Sequence, residues 1–313
     1  MKQELLSQLA TAKVLSEGPR FKRLLHAPAK YIYAMVLRES AKRFRITDQL
    51  SQCWSCFGFD MFVRLPAGMD VYLIGAKSHD SELRLAKYII NNLHQNQVFV
   101  DVGAHFGYYS LLAELLVGRR GSVYAFEASP ANCEVLRRSA GINSHIKIYN
   151  KAVSDTRVKA ELYEFPTPYS EYNTLDMTQF EHESWFSRNH PTKVKVAAIT
   201  LSEFFRKERV DPHMIKIDVE GSENKVIKGV EPYLKNHAPI IIMEFLSAER
   251  SNQAHNAAHQ LLLSLGYQVY RIDHQGHLSM VRDIPIYLEK LSLTSDNLVY
   301  QKDGLNRGTI LST

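Results

Sequence analysis

The sequence predicts an α/β protein whose mostly parallel sheet carries helices on both faces. Three observations lead there. From residue 98 onward, short apolar runs alternate with stretches of helical period. One run, 98–102, passes straight into a glycine turn and a helix start. Another, 213–218, ends in closely spaced acids and a further glycine. Glycine turns at the carboxyl ends of parallel strands make a crevice, and such crevices take ligands.

At 313 residues, with 45% hydrophobic and 23% charged side chains, the chain can bury a large core and has the composition of an ordinary globular protein. No run of apolar residues is long enough to predict a membrane span, and no signal peptide is expected at the N-terminus. Cys53, Cys56 and Cys133 make no disulfide framework, so a reducing cytoplasm is the expected setting. Charge is uneven. Residues 1–50 hold ten Lys/Arg and four Asp/Glu, a net +6, whereas the whole chain is +5. Residues 51–313 are therefore close to neutral, which argues against a nucleic-acid-binding core.

Residues 1–78 read as an addition to a main domain over 79–313. It begins with two helical stretches split by Gly18-Pro19. The second, 28–44, mixes Ile32, Ala34, Met35 and Val36 with Lys30, Arg38, Lys42 and Arg43. That pattern suits a cap packed on the main domain, or peripheral association with an anionic membrane at the inner surface. Cys53-Trp-Ser-Cys56 has C-x-x-C spacing, but zinc needs a second pair and a redox pair needs a strand-to-helix context. Two ordinary cysteines are expected. Residues 59–65 and 69–74 alternate around Pro66-Ala-Gly68 and predict a β-hairpin, followed by a helix over 81–93.

In the main domain, strands are expected at 98–102, 122–126, 146–150, 213–218 and 239–245, and helices at 107–117, 130–140, 201–208, 223–235 and 252–265. Residues 267–272, 277–281 and 297–301 predict short antiparallel strands at the end. Two extra strands, 159–165 and 193–199, enclose an aperiodic segment, 166–191, with Tyr169, Tyr172, Trp185 and Phe186. Its length and aromatics predict an ordered lid or substrate wall.

The first chemical motif is Asp101-Val-Gly103-Ala-His105-Phe-Gly107. A dinucleotide turn needs G-x-G-x-x-G so that a pyrophosphate can reach the helix N-terminus. Here the third glycine is missing, and Asp101 would repel a pyrophosphate while suiting an ammonium or sulfonium group. That favours S-adenosyl-L-methionine over NAD. Glu127, with its neighbour Ala128, ends the second strand, where a carboxylate accepts ribose hydroxyls in either kind of enzyme. Ala152 and Val153 follow the third strand and would flank the adenine. Asp218-Val-Glu220-Gly221 follows the fourth strand and Glu244 lies near the end of the fifth. Asp218 and Glu220 would point into the same crevice as Asp101, and three acids converging there are costly unless a cation sits among them: a sulfonium, an ammonium or a metal.

These residues together resemble a family. Asp-Val-Gly-Ala-x-x-Gly, Phe-Glu-Ala-Ser-Pro, Ile-Lys-Ile-Asp-Val-Glu-Gly-Ser-Glu with Lys228-Gly229, and Met-Glu-Phe look like the FkbM family of S-adenosylmethionine-dependent methyltransferases. The resemblance runs over about residues 80–250, and the Lys-Ile-Asp-Val-Glu-Gly run is its distinguishing part. It implies a Rossmann-like class I methyltransferase fold with sheet order 3-2-1-4-5-7-6. It also implies methyl transfer to oxygen, typically a hydroxyl of a sugar, glycan or secondary metabolite. In that reading Asp101, Gly103 and Gly107 shape the methionine pocket, Glu127 holds the ribose, and Asp218 and Glu220 face the reacting centre with Glu244 nearby. Read from their own positions, His105 and Tyr108 are further candidate cofactor contacts, and Glu82 either reaches the cofactor's amino group or stabilises its helix start. The family often has Asn where this chain has His105, which adds a titratable group.

An alcohol needs its proton removed to attack a methyl group, so a carboxylate within reach is expected. Glu220 is the first candidate, then Asp218, then Glu244. A metal on these three acids is the minor alternative, and none is assigned. Tyr172 and Asn173 are candidate acceptor contacts. His255 and His259, four residues apart, lack the further ligands of a zinc site, and a surface or packing role is expected. The rival readings are a cofactor-binding protein without turnover and an NAD-dependent enzyme.

Overall fold

The computed structural model describes residues 1–44, 49–141, 144–180 and 185–302. The N-terminal addition opens with α1 (Lys2–Glu17), α2 (Arg20–His26) and α3 (Pro28–Phe44), one helix more than the sequence suggested. A two-stranded sheet follows, β1 (Gln49–Trp54) with β2 (Asp60–Leu65), then α4 (Met69–Ile74) and α5 (Asp80–Asn92).

The hairpin expected at 59–65 and 69–74 is corrected here. Its first arm is β2, but the partner is the preceding segment, and 69–74 is helical. Val71 and Ile74, three apart, are the buried residues of α4, which is helical rather than alternating spacing. β1 hid itself because Gln49, Ser51 and Gln52 are polar. Its buried side chain, Cys53, lies opposite buried Met61. Cys53 and Cys56 are free thiols, each pushed up to about 12 by burial, so neither is a reactive thiolate.

The main domain, which α5 opens, alternates from there as expected. Its elements are β3 (Val98–Val102), α6 (Tyr108–Val117), β4 (Ser122–Phe126), α7 (Pro130–Ala140), β5 (Ile146–Tyr149), β6 (Ala152–Val153), β7 (Lys159–Glu164) and β8 (Thr192–Ile199). Then come α8 (Leu201–Glu208), β9 (Met214–Ile217), α9 (Glu223–Leu234), β10 (Ile240–Leu246), α10 (Gln253–Ser264), β11 (Tyr267–Ile272), β12 (Leu278–Met280), α11 (Ile284–Lys290) and β13 (Ser295–Lys302). Caps explain several helix starts. The side chains of Ser129, Thr200 and Asp283 accept from the backbone N–H three residues on, each typically contributing about 1 kcal/mol.

Among the described residues the main sheet has eight strands, in the order β12-β11-β13-β10-β9-β3-β4-β5. Strands β5, β4, β3, β9 and β10 are parallel, and β13 is antiparallel to β10 and β11. This is the order 3-2-1-4-5-7-6 with β12 added at one edge. It is the Rossmann-like class I methyltransferase fold. Alternate residues of β3 serve opposite faces: Phe99 joins the core under α5 and α6, while Val100 and Val102 join the core under α8, α9 and α10. The addition shares the first of these cores through Leu5, Leu9, Met61 and Leu65. A smaller sheet, β6-β8-β7, carries the 166–191 segment between β7 and β8.

Candidate active site

A cleft of about 1410 Å³ opens at the carboxyl ends of β3, β4, β9 and β10. At Gly103 the chain leaves β3 with φ 79° and passes so close to β9 that a Cβ would lie 1.8 Å from the Asp218 carbonyl oxygen. At Gly107, φ 92°, a Cβ would lie 2.2 Å from Leu136 of α7. Both positions therefore require glycine. His105, between them, has φ 50°, a left-handed conformation in which Asn and His are enriched.

Gly103, His105, Tyr108, Glu127, Ala128, Ala152 and Val153 line the cleft, as do Glu82, Asp218, Glu220, Glu244, Tyr172 and Asn173. Asp101 and Gly107 do not. The expectation that Asp101 points into the crevice is corrected: it is 1% exposed, accepts from Ser110 Oγ at 2.6 Å and lies 3.7 Å from Lys216 Nζ. Gly107 shapes the turn from behind, against α7.

Glu127 is held rigidly. Its carboxylate accepts from the His105 backbone N–H at 2.7 Å and the Ser129 backbone N–H at 2.8 Å. Burial outweighs these bonds and pushes its carboxyl up to about 7. His105 is not a pH switch: burial, then the Lys77 charge, lowers it to about 3, so its ring stays neutral. The ring sits 3.3 Å from Ser170 Oγ in the long loop.

The opposite wall differs. Asp218 ion-pairs with Lys216 at 3.0 Å. Burial raises its carboxyl, but Lys216 and Lys77 outweigh this and hold it below the usual range. Glu220, with φ 52°, is pushed well up, by burial first and then by the charges of Glu244 and Asp218. Glu244 is pushed up to about 7, again by burial and then by Asp218. An oxygen from each of Asp218, Glu220 and Glu244 lies within 4.8 Å of the others, so these three are the described residues that could hold a metal ion.

The turn that presents them is built locally. Glu223, buried at the start of α9, accepts from the backbone N–H groups of Val219 at 3.3 Å and Gly221 at 3.1 Å. His255 supports it from α10, with its Nε2 3.3 Å from Glu223 Oε2. His255 is thus a packed core residue, as expected. Its partner in the pattern, His259, sits by Tyr300. The long loop adds Thr174, whose hydroxyl donates to the Glu220 carbonyl at 2.5 Å. Trp185 stacks on Tyr169 and Tyr172 with centroids 4.7 and 5.1 Å apart, so the aromatics do make an ordered wall.

The family model for the methyltransferase FkbM domain matches residues 101–269, more than half of the chain. The chain belongs to the FkbM methyltransferase family. Among curated proteins, the methyltransferase sdnD of Sordaria araneosa is 28% identical over 169 residues, with 46% of this chain and 64% of that protein covered. The chain thus matches less than two thirds of that relative's length. Among solved structures, an FkbM methyltransferase from Methylobacillus flagellatus is 17% identical with a TM-score of 0.40, covering 75% of this chain and 52% of that one. A SAM-dependent O-methyltransferase from Thermotoga maritima is 10% identical with a TM-score of 0.39, covering 80% and 77%.

Sequence reasoning missed two cations in this FkbM-family chain. Lys216, 2% exposed, pairs with Asp218 and approaches Asp101. Lys77 pairs with Glu82 at 2.8 Å, and Asn297 and Tyr109 also donate to that carboxylate. The converging acids are therefore compensated from within: Lys216 and Lys77 act on Asp218, and Arg250, also in the cleft wall, offsets part of the rise at Glu220 and Glu244. A signal for Lys216 was present: a lysine between two isoleucines of a buried strand must point away from their face, toward a partner. Nothing comparable marked Lys77.

Proposed function

We propose that the chain transfers a methyl group from S-adenosyl-L-methionine to an oxygen, a hydroxyl of a sugar, glycan or secondary metabolite. The observation that carries this reading is the division of one cleft into a rigid carboxylate wall at Glu127 and a charge-crowded one at Glu220 and Glu244. The donor set suits the cofactor. Glu127 keeps acceptor capacity on the cleft side for ribose hydroxyls, and Ala152 and Val153 offer a small apolar surface for the base. Asp218 and Glu82 would face the amino acid end. The cleft's volume exceeds what a single small ligand needs, leaving room for an acceptor.

When bound, the cofactor supplies an electrophilic methyl on a sulfonium. The residues here do the rest. Glu220 accepts the acceptor hydroxyl's proton at a carboxylate oxygen. Burial and the neighbouring Glu244 charge raise its basicity toward the task. Asp218, kept ionised by Lys216, orients without taking the proton. The loop aromatics beside Tyr172 exclude water and position the acceptor.

Calorimetry tests the reading. S-adenosylhomocysteine should bind at micromolar levels and NADH should give no heat. Failure of S-adenosylhomocysteine to bind would overturn the proposal. Binding without methylation of any hydroxyl acceptor would leave a non-catalytic cofactor-binding protein. Turnover abolished by a chelator and restored by a divalent ion would move Glu220 and Glu244 from base to metal ligands.

A further inference from the structure

The N-terminal helices turn large apolar side chains outward. Phe21 and Leu25 of α2 are 58% and 74% exposed, and Ile32 and Val36 of α3 are 57% and 58% exposed. Each pair is four residues apart, so each forms one helix face. Meanwhile α3 turns Ala34 and Leu37 inward, Ala34 fully buried and Leu37 packed against the core. With Tyr33, five of the fourteen exposed large hydrophobics among the described residues fall within positions 21–36. Single exposed apolar residues are ordinary, but a run on adjacent helices marks a docking surface. The helices α2 and α3 adjoin each other, with only Ala27 between them.

Charge selects the occupant. Besides Arg38, which lines the cleft, and Lys30, which lies over the Tyr72 ring, residues 20–44 bring five further Lys/Arg against one Asp/Glu. A protein partner of this chain's own kind would bring the same cations and repel them. An anionic bilayer surface satisfies both features: cations meet lipid headgroups while apolar side chains enter the headgroup boundary. No helix here is long and apolar enough to cross a membrane, which leaves surface contact. We propose that the outward face of α2 and α3 docks on an anionic lipid surface. Arg38, two residues after Val36, lines the cleft, so one helix carries both the docking face and part of the cleft wall.

Vesicle co-sedimentation of the full chain tests this, and it needs no cofactor, so it stands apart from the methyl-transfer reading. Binding is expected to phosphatidylcholine vesicles containing phosphatidylglycerol. It should weaken with added salt and be slight on phosphatidylcholine alone. The double variant Phe21→Ser/Leu25→Ser should bind at least about tenfold more weakly, and Ile32→Ser/Val36→Ser likewise, with the thermal midpoint and S-adenosylhomocysteine binding unchanged. Three results would overturn it: no binding to anionic vesicles, equal binding by both variants, or a stable dimer that these variants split. The last would assign the face to a second copy of the chain.

Discussion

The carboxylates on the two sides of the cleft are treated in opposite ways. On the β3–β4 side, Asp101 is clasped by Ser110 and Lys216 beneath the surface, and Glu127 by two backbone N–H groups. Their geometry is set before any ligand arrives. On the β9–β10 side, burial and the charge of Asp218 raise the proton affinity of both Glu220 and Glu244, and Glu244 adds to the rise at Glu220. Fixed acceptors suit recognition, because they cost no reordering on binding. Crowded ones suit proton transfer, because burial and neighbouring charge strengthen their hold on a proton. Lys216 stands between the walls and is shared by both.

The strongest way to break this comparison is Glu220→Gln. Turnover should fall about 100-fold or more while calorimetric affinity for S-adenosylhomocysteine stays within about threefold of the parent. Equal losses of binding and turnover would show that the walls do not divide the labour.

Next comes Lys216→Met, which leaves Asp101 buried without its cation. Removing one member of a buried pair costs about 3 kcal/mol or more, measured as a lower denaturant midpoint. Adding Asp101→Asn should recover a good part of it. No recovery would mean that Lys216 serves Asp218 alone.

The smallest effect concerns Glu127. Burial raises it to about 7, and hydroxyl donors select its ionised form. Protonation therefore competes with ligand. Affinity for S-adenosylhomocysteine should rise with pH through about 7 and level off above it, falling at most about tenfold per unit below. Calorimetry across that range checks it, and Glu127→Gln should flatten the profile. A flat parent profile would place the ribose elsewhere.

Much of the main domain was legible. The strands from 98 to 126, the helices at 130–140 and 201–208, and the antiparallel finish follow from apolar period and caps that act within a few residues. The addition was harder to read. Partner choice in β1–β2 depends on what packs against Cys53 and Met61, and polar residues on the outer face masked the strand. Cleft lining was read correctly where an acid ends a strand, as at Glu127, Asp218 and Glu244. It failed at Asp101, because a strand's alternation says which face a side chain takes but not whether that face is open.

By itself the sequence determined the alternating α/β order, the glycine turns at 103 and 107, and the acids at strand ends, since periodicity, backbone freedom and charge are local properties. Only the tertiary structure decided which acids meet which cations. Lys216 reaches Asp101 because β3 and β9 are neighbours in the sheet, over a hundred residues apart in the chain. The partners met there, not residue type or burial, separate the held carboxylates from the reactive ones. The field at each carboxyl depends on distances that only the fold sets.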